Sequence, residues 1–130
     1  MYLLDTHTLN CFFTGHGRVA EKVLTTPPRE IVLSSITLLE LEFEIEKFPE
    51  PEKRRRELYR LVDVVTVLPF GKREAVAAAR IRMQLGREGR SIHPLEVLIA
   101  GTALAHNAVL VTRHMENYRR IAGIEIEDWY

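Results

Sequence analysis

Tyr2-Leu3-Leu4-Asp5-Thr6-His7 opens the chain after Met1, and the α/β architecture can be read from it. Three apolar residues read as a short buried strand, and a lone carboxylate stands where that strand should end. Three later points repeat the arrangement. Glu40 follows Ile31-Val32-Leu33, Glu96 opens the apolar run from Val97 to Ala105, and His114 follows Val109-Leu110-Val111-Thr112. In an open parallel α/β sheet, ligands bind in the crevice outside the carboxyl ends of the strands. None of the three acids has a lysine or arginine beside it in sequence. Acids gathered at such an edge predict a site for a divalent cation.

Working outward, strand-like and helix-like segments alternate. Val19–Leu24 reads as helical, and Ile31–Leu33 as a second strand set off by Pro27-Pro28. Leu38, Leu41, Ile45 and Phe48 recur at helical spacing up to Pro49. Pro51 suits the first turn of another helix, with Leu58, Leu61 and Val62 as its apolar stripe. Val64–Leu68 is β-branched and closed by Pro69, hence a third strand. Ala75–Leu85 is alanine-rich and ends near Gly86 and Gly89, and Pro94 opens a helix reaching about Asn107. Val109–Val111, Glu116–Ile121 and Ile124–Ile126 complete the series as strand, short helix and strand. Alternation of this kind predicts an α/β fold, with a mainly parallel central sheet of four to five strands flanked by helices.

Composition narrows the function. With 130 residues, 46% apolar and 28% charged, the chain fits one domain over residues 1–130. The formal net charge is zero, so any binding of nucleic acid must come from a local patch rather than a global field. The single cysteine, Cys11, excludes an internal disulfide. No apolar run approaches the roughly 18 residues of a membrane span, and the start has neither the basic region nor the small-residue cleavage site of a signal peptide. A cytoplasmic protein with no membrane partner is expected.

Each acid also has a plain structural explanation. Thr37-Leu38-Leu39-Glu40 matches a capping box, Glu96 behind Pro94 complements a helix dipole, and Asp5 can cap the segment after it. The run Lys53-Arg54-Arg55-Arg56 is preceded by Glu50 and Glu52, four residues before Arg54 and Arg56. It therefore reads as a paired, solvated helix face. Arg80, Arg82, Arg87 and Arg90 lie closer to the third acid and are better placed to steer a nucleic-acid backbone. Arg113 either holds a phosphate through its planar fork or is an exposed loop arginine with no role of its own. Thr6 and Thr112 are candidates for hydrogen bonds at the site or for local capping. Gly15-His16-Gly17 lacks both the third glycine and the preceding strand of a dinucleotide loop.

With these residues assembled, the chain resembles the PIN-domain ribonucleases, and within them the VapC-type toxins of toxin–antitoxin pairs. Tyr2–His7 resembles the opening strand with the first catalytic aspartate. Ser34-Ser35-Ile36-Thr37-Leu38-Leu39-Glu40-Leu41 resembles the second motif and its metal-site glutamate. Glu96-Val97-Leu98-Ile99-Ala100 resembles the third, Leu110-Val111-Thr112-Arg113-His114 the fourth, and Ile126-Glu127-Asp128-Trp129 the usual close. Three positions depart from the pattern. Glu96 stands where aspartate is usual, His114 where aspartate or asparagine is usual, and Glu44 where a glycine usually follows the second acid.

The resemblance implies an endoribonuclease in which Asp5, Glu40 and Glu96 hold Mg2+ or Mn2+. His114 completes or flanks the set, and a metal-activated water attacks the phosphodiester. Thr6, Thr112, Arg113 and Arg82 are the expected substrate contacts. It further implies an RNA substrate, a VapB-like antitoxin that brings the pair to operator DNA, and a homodimer. Core packing is the default for Cys11-Phe12-Phe13; the resemblance implies a second use, as part of a groove on the early helices, with Leu41, Phe43 and Phe48, that would receive the antitoxin. The departures leave a rival, a catalytically weak PIN domain that serves as an antitoxin- or RNA-binding module. A haloacid-dehalogenase-like phosphatase is disfavoured, because its second aspartate would fall at His7.

Overall fold

The short apolar runs line up as one parallel sheet in the computed structural model, which describes residues 1–130. In chain order the elements are β1 (Tyr2–Leu4), α1 (Thr6–Thr14), α2 (Val19–Thr25), β2 (Ile31–Ser34), α3 (Ser35–Glu44) and α4 (Pro51–Val62). Then follow β3 (Thr66–Leu68), α5 (Lys72–Arg87), α6 (Pro94–Ala105), β4 (Val109–Val111), α7 (Met115–Tyr118) and β5 (Ile126–Glu127). Single 3-10 turns lie at Pro28–Glu30 and Ile45–Lys47. No helix is long and apolar enough to cross a membrane.

The five strands run in the order β3-β2-β1-β4-β5, all parallel. Leu3 registers with Val32 on one side and Leu110 on the other. The order reverses direction at β1: the chain first builds outward through β2 and β3, then returns to place β4 on the other flank. Such a switch point opens a crevice at the carboxyl ends of the strands, and Asp5 is the first residue beyond β1.

Alternation along each strand divides the apolar residues between two cores. Leu3, Val32 and Leu110 face a cluster with Ala78, Ile81, Ile99, Ala103 and Tyr118, supplied by α5, α6 and α7. Leu4, Ile31, Leu33 and Val111 face a second cluster with Leu9, Val23, Leu41, Leu58 and Leu61, from α1 to α4. The two layers of helices cover both faces, as a buried parallel sheet requires. Helices α5 and α6 pack closely at Gly101, where an added Cβ would lie 2.8 Å from the Ala78 Cβ and 2.9 Å from its Cα.

Several expected boundaries move. The cap of α3 is Ser34, whose Oγ accepts the Thr37 N–H at 2.9 Å. Thr37 is therefore inside the helix, and the capping box expected at Thr37–Glu40 does not form. β3 begins at Thr66 because Val64 and Val65 complete the turn after α4, their N–H groups bonding the Leu61 carbonyl. β5 starts at Ile126 because Gly123, at φ 80°, turns the chain just before it. The basic run is not wholly a solvated face. Arg54 is 8% exposed, and the ion pairs within the helix fall at i,i+3, Arg54–Glu57 and Glu52–Arg55, rather than at i,i+4, while Arg55 also pairs with Glu46 before the helix.

Candidate active site

Asp5 lies between two backbone segments that fix it. Its N–H donates to the Val111 carbonyl at 3.0 Å, continuing the β1–β4 pairing beyond the last strand residue. Its Oδ1 accepts the Thr8 N–H at 2.8 Å and so caps α1. The carboxylate is buried, at 3% exposure. One acid thus ends a strand, starts a helix and faces the crevice.

Glu40 comes from the middle of α3, across the crevice. Thr6, in the first turn of α1, donates its hydroxyl to Glu40 Oε1 at 2.6 Å. Glu96 sits in the first turn of α6. Its Oε1 accepts the His93 N–H at 3.3 Å, which caps the helix, and the Asn117 side-chain amide reaches both of its oxygens at 3.2 and 3.3 Å. His114 follows β4. Its N–H donates to Thr112 Oγ1 at 2.9 Å, and its ring meets the His7 ring edge-on at 5.3 Å.

These four residues line one open cavity of about 530 Å³ with Thr6, His7, Asn10, Glu44, His93, Asn117 and Tyr118. No lysine or arginine is among the lining residues. The crowding of negative charge registers on Tyr118. Burial first, and then Glu96, Asp5 and Glu40, push its phenol far above the ordinary tyrosine range. Tyr118 is 1% exposed and stays a neutral O–H donor.

The remaining expected contacts are placed apart from the acids. Thr112 is fully buried, and its hydroxyl is taken by the His114 N–H. Arg113 lies outside the cavity with its guanidinium over the Tyr130 ring, 3.4 Å from the centroid. Arg82 lines a separate hollow with Arg90 and Ser91. Asn10, Glu44, His93, Asn117 and Tyr118 escaped sequence reading as site residues. Asn10 follows Thr6 by four and Glu44 follows Glu40 by four, a signal of shared helix faces that becomes meaningful only once α1 and α3 are known to meet.

The donors fit a hard divalent cation in kind: carboxylate oxygens at an open, water-accessible mouth. No three His, Cys, Asp or Glu side chains converge tightly enough to enclose an ion. That arrangement suits an ion held by one or two direct carboxylates with several retained waters, the usual habit of Mg2+.

The PIN domain family model matches residues 2–123. The chain belongs to the PIN-domain family. Among PIN-domain relatives, the tRNA(fMet)-specific endonuclease VapC of Salmonella typhimurium is 34% identical over 131 residues, covering 98% of this chain and 97% of that protein. Ribonuclease VapC2 of Rickettsia felis is 29% identical, covering 99% and 98%. Among solved structures, DNA-bound VapBC from Salmonella typhimurium matches with a TM-score of 0.89 and 31% identity, over 99% of this PIN domain and 98% of that chain. VapBC2 from Rickettsia felis, bound to a DNA fragment from the promoter, matches with a TM-score of 0.89, 26% identity and the same coverages.

Proposed function

We propose that this PIN domain is a divalent-cation-dependent endoribonuclease and the toxin of a toxin–antitoxin pair. The observation that carries the reading is the convergence of Asp5, Glu40, Glu96 and His114 on one open cavity with no lysine or arginine in its walls. Like charges at a few ångströms repel strongly in a partly desolvated site. A phosphodiester can approach these carboxylates only across a cation. Asp5, Glu40 and Glu96 would hold Mg2+ or Mn2+, the imidazole of His114 suiting Mn2+ better than Mg2+. Such an ion, when bound, lowers the pKa of an attacking water and neutralises charge developing on the departing oxygen.

The chain's own residues do the positioning. The Thr8 N–H aims Asp5, the Thr6 hydroxyl aims Glu40, and Asn117 aims Glu96. His7 and His114 stand exposed at the rim, where an imidazole donates to a phosphate oxygen. Arg113 and Arg82, outside the cavity, contact the flanking RNA backbone. Single-stranded or looped RNA is the substrate class, because its backbone and bases are accessible where a duplex hides them.

The antitoxin would dock on an apolar groove of about 450 Å³ walled by Phe12, Phe13, Val23, Leu24, Leu61 and Val64. A groove of this lining accepts the apolar face of an amphipathic helix. Phe12 and Phe13 stay in the groove as expected from sequence. Cys11 takes the default core position, Leu41 is buried with it, and Phe43 is exposed away from the groove beneath Lys47. Operator DNA would be reached through the antitoxin, by analogy with the Salmonella typhimurium and Rickettsia felis complexes.

A binding-module reading draws support from Glu96, whose two oxygens are already engaged by Asn117 and His93. Incubation of single-stranded RNA with Mg2+, Mn2+ or EDTA, for wild type and Asp5→Asn, decides between the two. Cleavage that needs metal and falls more than about a hundredfold in the variant, beyond what loss of an outer partner costs, supports the nuclease. Intact RNA from folded, antitoxin-free protein under every condition favours the module.

A further inference from the structure

Helices α1 and α3 face each other across the acid cavity through two matched rungs. Thr6 donates to Glu40 at 2.6 Å, and one turn further along both helices the Asn10 amide donates to Glu44 Oε2 at 3.0 Å. Thr6 and Asn10 are four residues apart, as are Glu40 and Glu44, so each pair lies on one helix face. The second rung has an anchor that the first lacks. Arg54 of α4 donates through Nη2 to Asn10 Oδ1 at 3.1 Å. Its guanidinium is clamped between the Phe13 and Phe48 rings, 4.6 and 4.1 Å from their centroids, and its Nη1 lies 3.9 Å from Glu57.

An arginine is seldom this buried unless its donors and faces are all engaged. Here the engagement ends on the wall of the acid cavity. Asn10 has its carbonyl oxygen held by Arg54, which fixes the amide flip and leaves its N–H to orient Glu44. We propose that Arg54 is a positioning residue for the acidic site. Through Asn10 and Glu44 it fixes α1 against α3, and thereby sets Glu40 against Asp5. The inference rests on the cation-binding reading of that site. Packing of α4 alone would need only the arginine's stem and aromatic contacts, not a bond to a cavity residue.

The sign of the effect separates this role from simple electrostatics. Removing a cation near an acidic site should tighten divalent-ion binding, whereas removing a positioning residue should weaken it. The test is Mn2+ binding to the 130-residue chain, free of antitoxin and RNA, read by electron paramagnetic resonance of the unbound ion. Arg54→Met, which keeps the apolar stem, is expected to weaken Mn2+ binding about tenfold, the scale of an outer-shell loss. Asn10→Ala removes no charge and severs the relay at its centre. It should weaken binding to a similar extent, and the double variant should be little worse than either single one. Asn10→Ala also keeps the test open if Arg54→Met melts early. Glu44→Ala should match them, and Glu44→Gln, whose amide oxygen still accepts from Asn10, should recover most of the loss.

In RNA cleavage the same variants should lower activity at limiting metal and recover at saturating metal. Unchanged or tighter Mn2+ binding in Arg54→Met and Asn10→Ala overturns the relay while leaving the nuclease reading intact. Equal losses in Glu44→Gln and Glu44→Ala overturn it too, because Glu44 then acts by its charge. Wild-type protein that binds no Mn2+ overturns both the relay and the cation site on which it rests.

Discussion

Asp5 is both the cap of α1 and a wall of the acid cavity, and two substitutions separate these roles. Asn keeps an oxygen to accept the Thr8 N–H, so Asp5→Asn should abolish cleavage with a change in stability of only a few tenths of a kcal/mol. Asp5→Ala loses both functions and should cost about 1 kcal/mol as well. Urea denaturation of the two variants checks the difference. Tyr118 makes a second prediction at this scale. Its phenol is held neutral far above the usual range by burial and by three carboxylates. The unfolded chain ionises this residue first, so its contribution to stability is complete below the ordinary tyrosine range and is lost as pH rises through it. Tyr118→Phe should therefore flatten the alkaline limb of the stability curve and leave the folded protein's phenolate absorbance titration unchanged. Asp5 was legible in sequence because one residue both ends an apolar strand and precedes a helix. Tyr118 was not, because nothing near Met115–Tyr118 distinguishes a tyrosine turned toward distant acids from one on an ordinary short helix.

Between elements, the contact of α5 with α6 is closed at its middle and at one end. Midway, the missing Cβ of Gly101 lets the Ala78 backbone approach. Gly101→Ala must separate the two helices, and overpacking of this kind costs about 1–3 kcal/mol. A drop in the urea midpoint without a change of m-value reports it. At the end, Glu74 accepts the Gly71 N–H at 2.8 Å and pairs with His106 Nε2 at 2.7 Å. The Gly71 N–H chiefly, and His106 with it, hold the Glu74 carboxyl below the usual range. A depressed folded pKa contributes stability that is present above the unfolded value and lost as pH falls through the folded one. The wild type should accordingly lose stability on acidification below the ordinary glutamate range more steeply than Glu74→Gln does, by denaturation at a series of pH values. Helix α1 carries no clear helix signal in the sequence. Thr, His and Asn carry weak helix propensity, and α1 persists through its Asp5 cap, the Gly15 terminus at φ 75° and its packing on α2 and α3.

Across the whole molecule, a net charge of zero conceals separated surfaces. An acidic cavity and an apolar groove each have a wall residue in contact with Arg54. Phe13 walls the groove, and Asn10 walls the cavity. A substitution in one surface should therefore be separable from function at the other. Leu24 is 78% exposed in the groove wall. Leu24→Asp should weaken antitoxin capture at least about tenfold, as expected where an apolar contact is replaced by a desolvated charge. RNA cleavage by the free chain should persist. Pull-down with the cognate antitoxin beside the cleavage assay tests both halves.

The parallel sheet is already written in the chain, because runs such as Tyr2–Leu4, Ile31–Leu33 and Val109–Val111 are apolar at every position and demand burial on both faces. The sequence also marked Asp5, the acid directly beyond the first of those strands, whereas Glu40 lies inside α3 and Glu96 opens α6, which follows a helix and no strand. Tertiary structure alone decided what each acid touches. The strand order brings Asp5, Glu40 and Glu96 to one cavity from elements up to 91 residues apart in number, a convergence that no local spacing encodes. It likewise turned Arg54 from a surface charge into a buried anchor. A run of four basic residues reads alike on any amphipathic helix, and only the positions of Phe13, Phe48 and Asn10 around α4 determine which one faces inward.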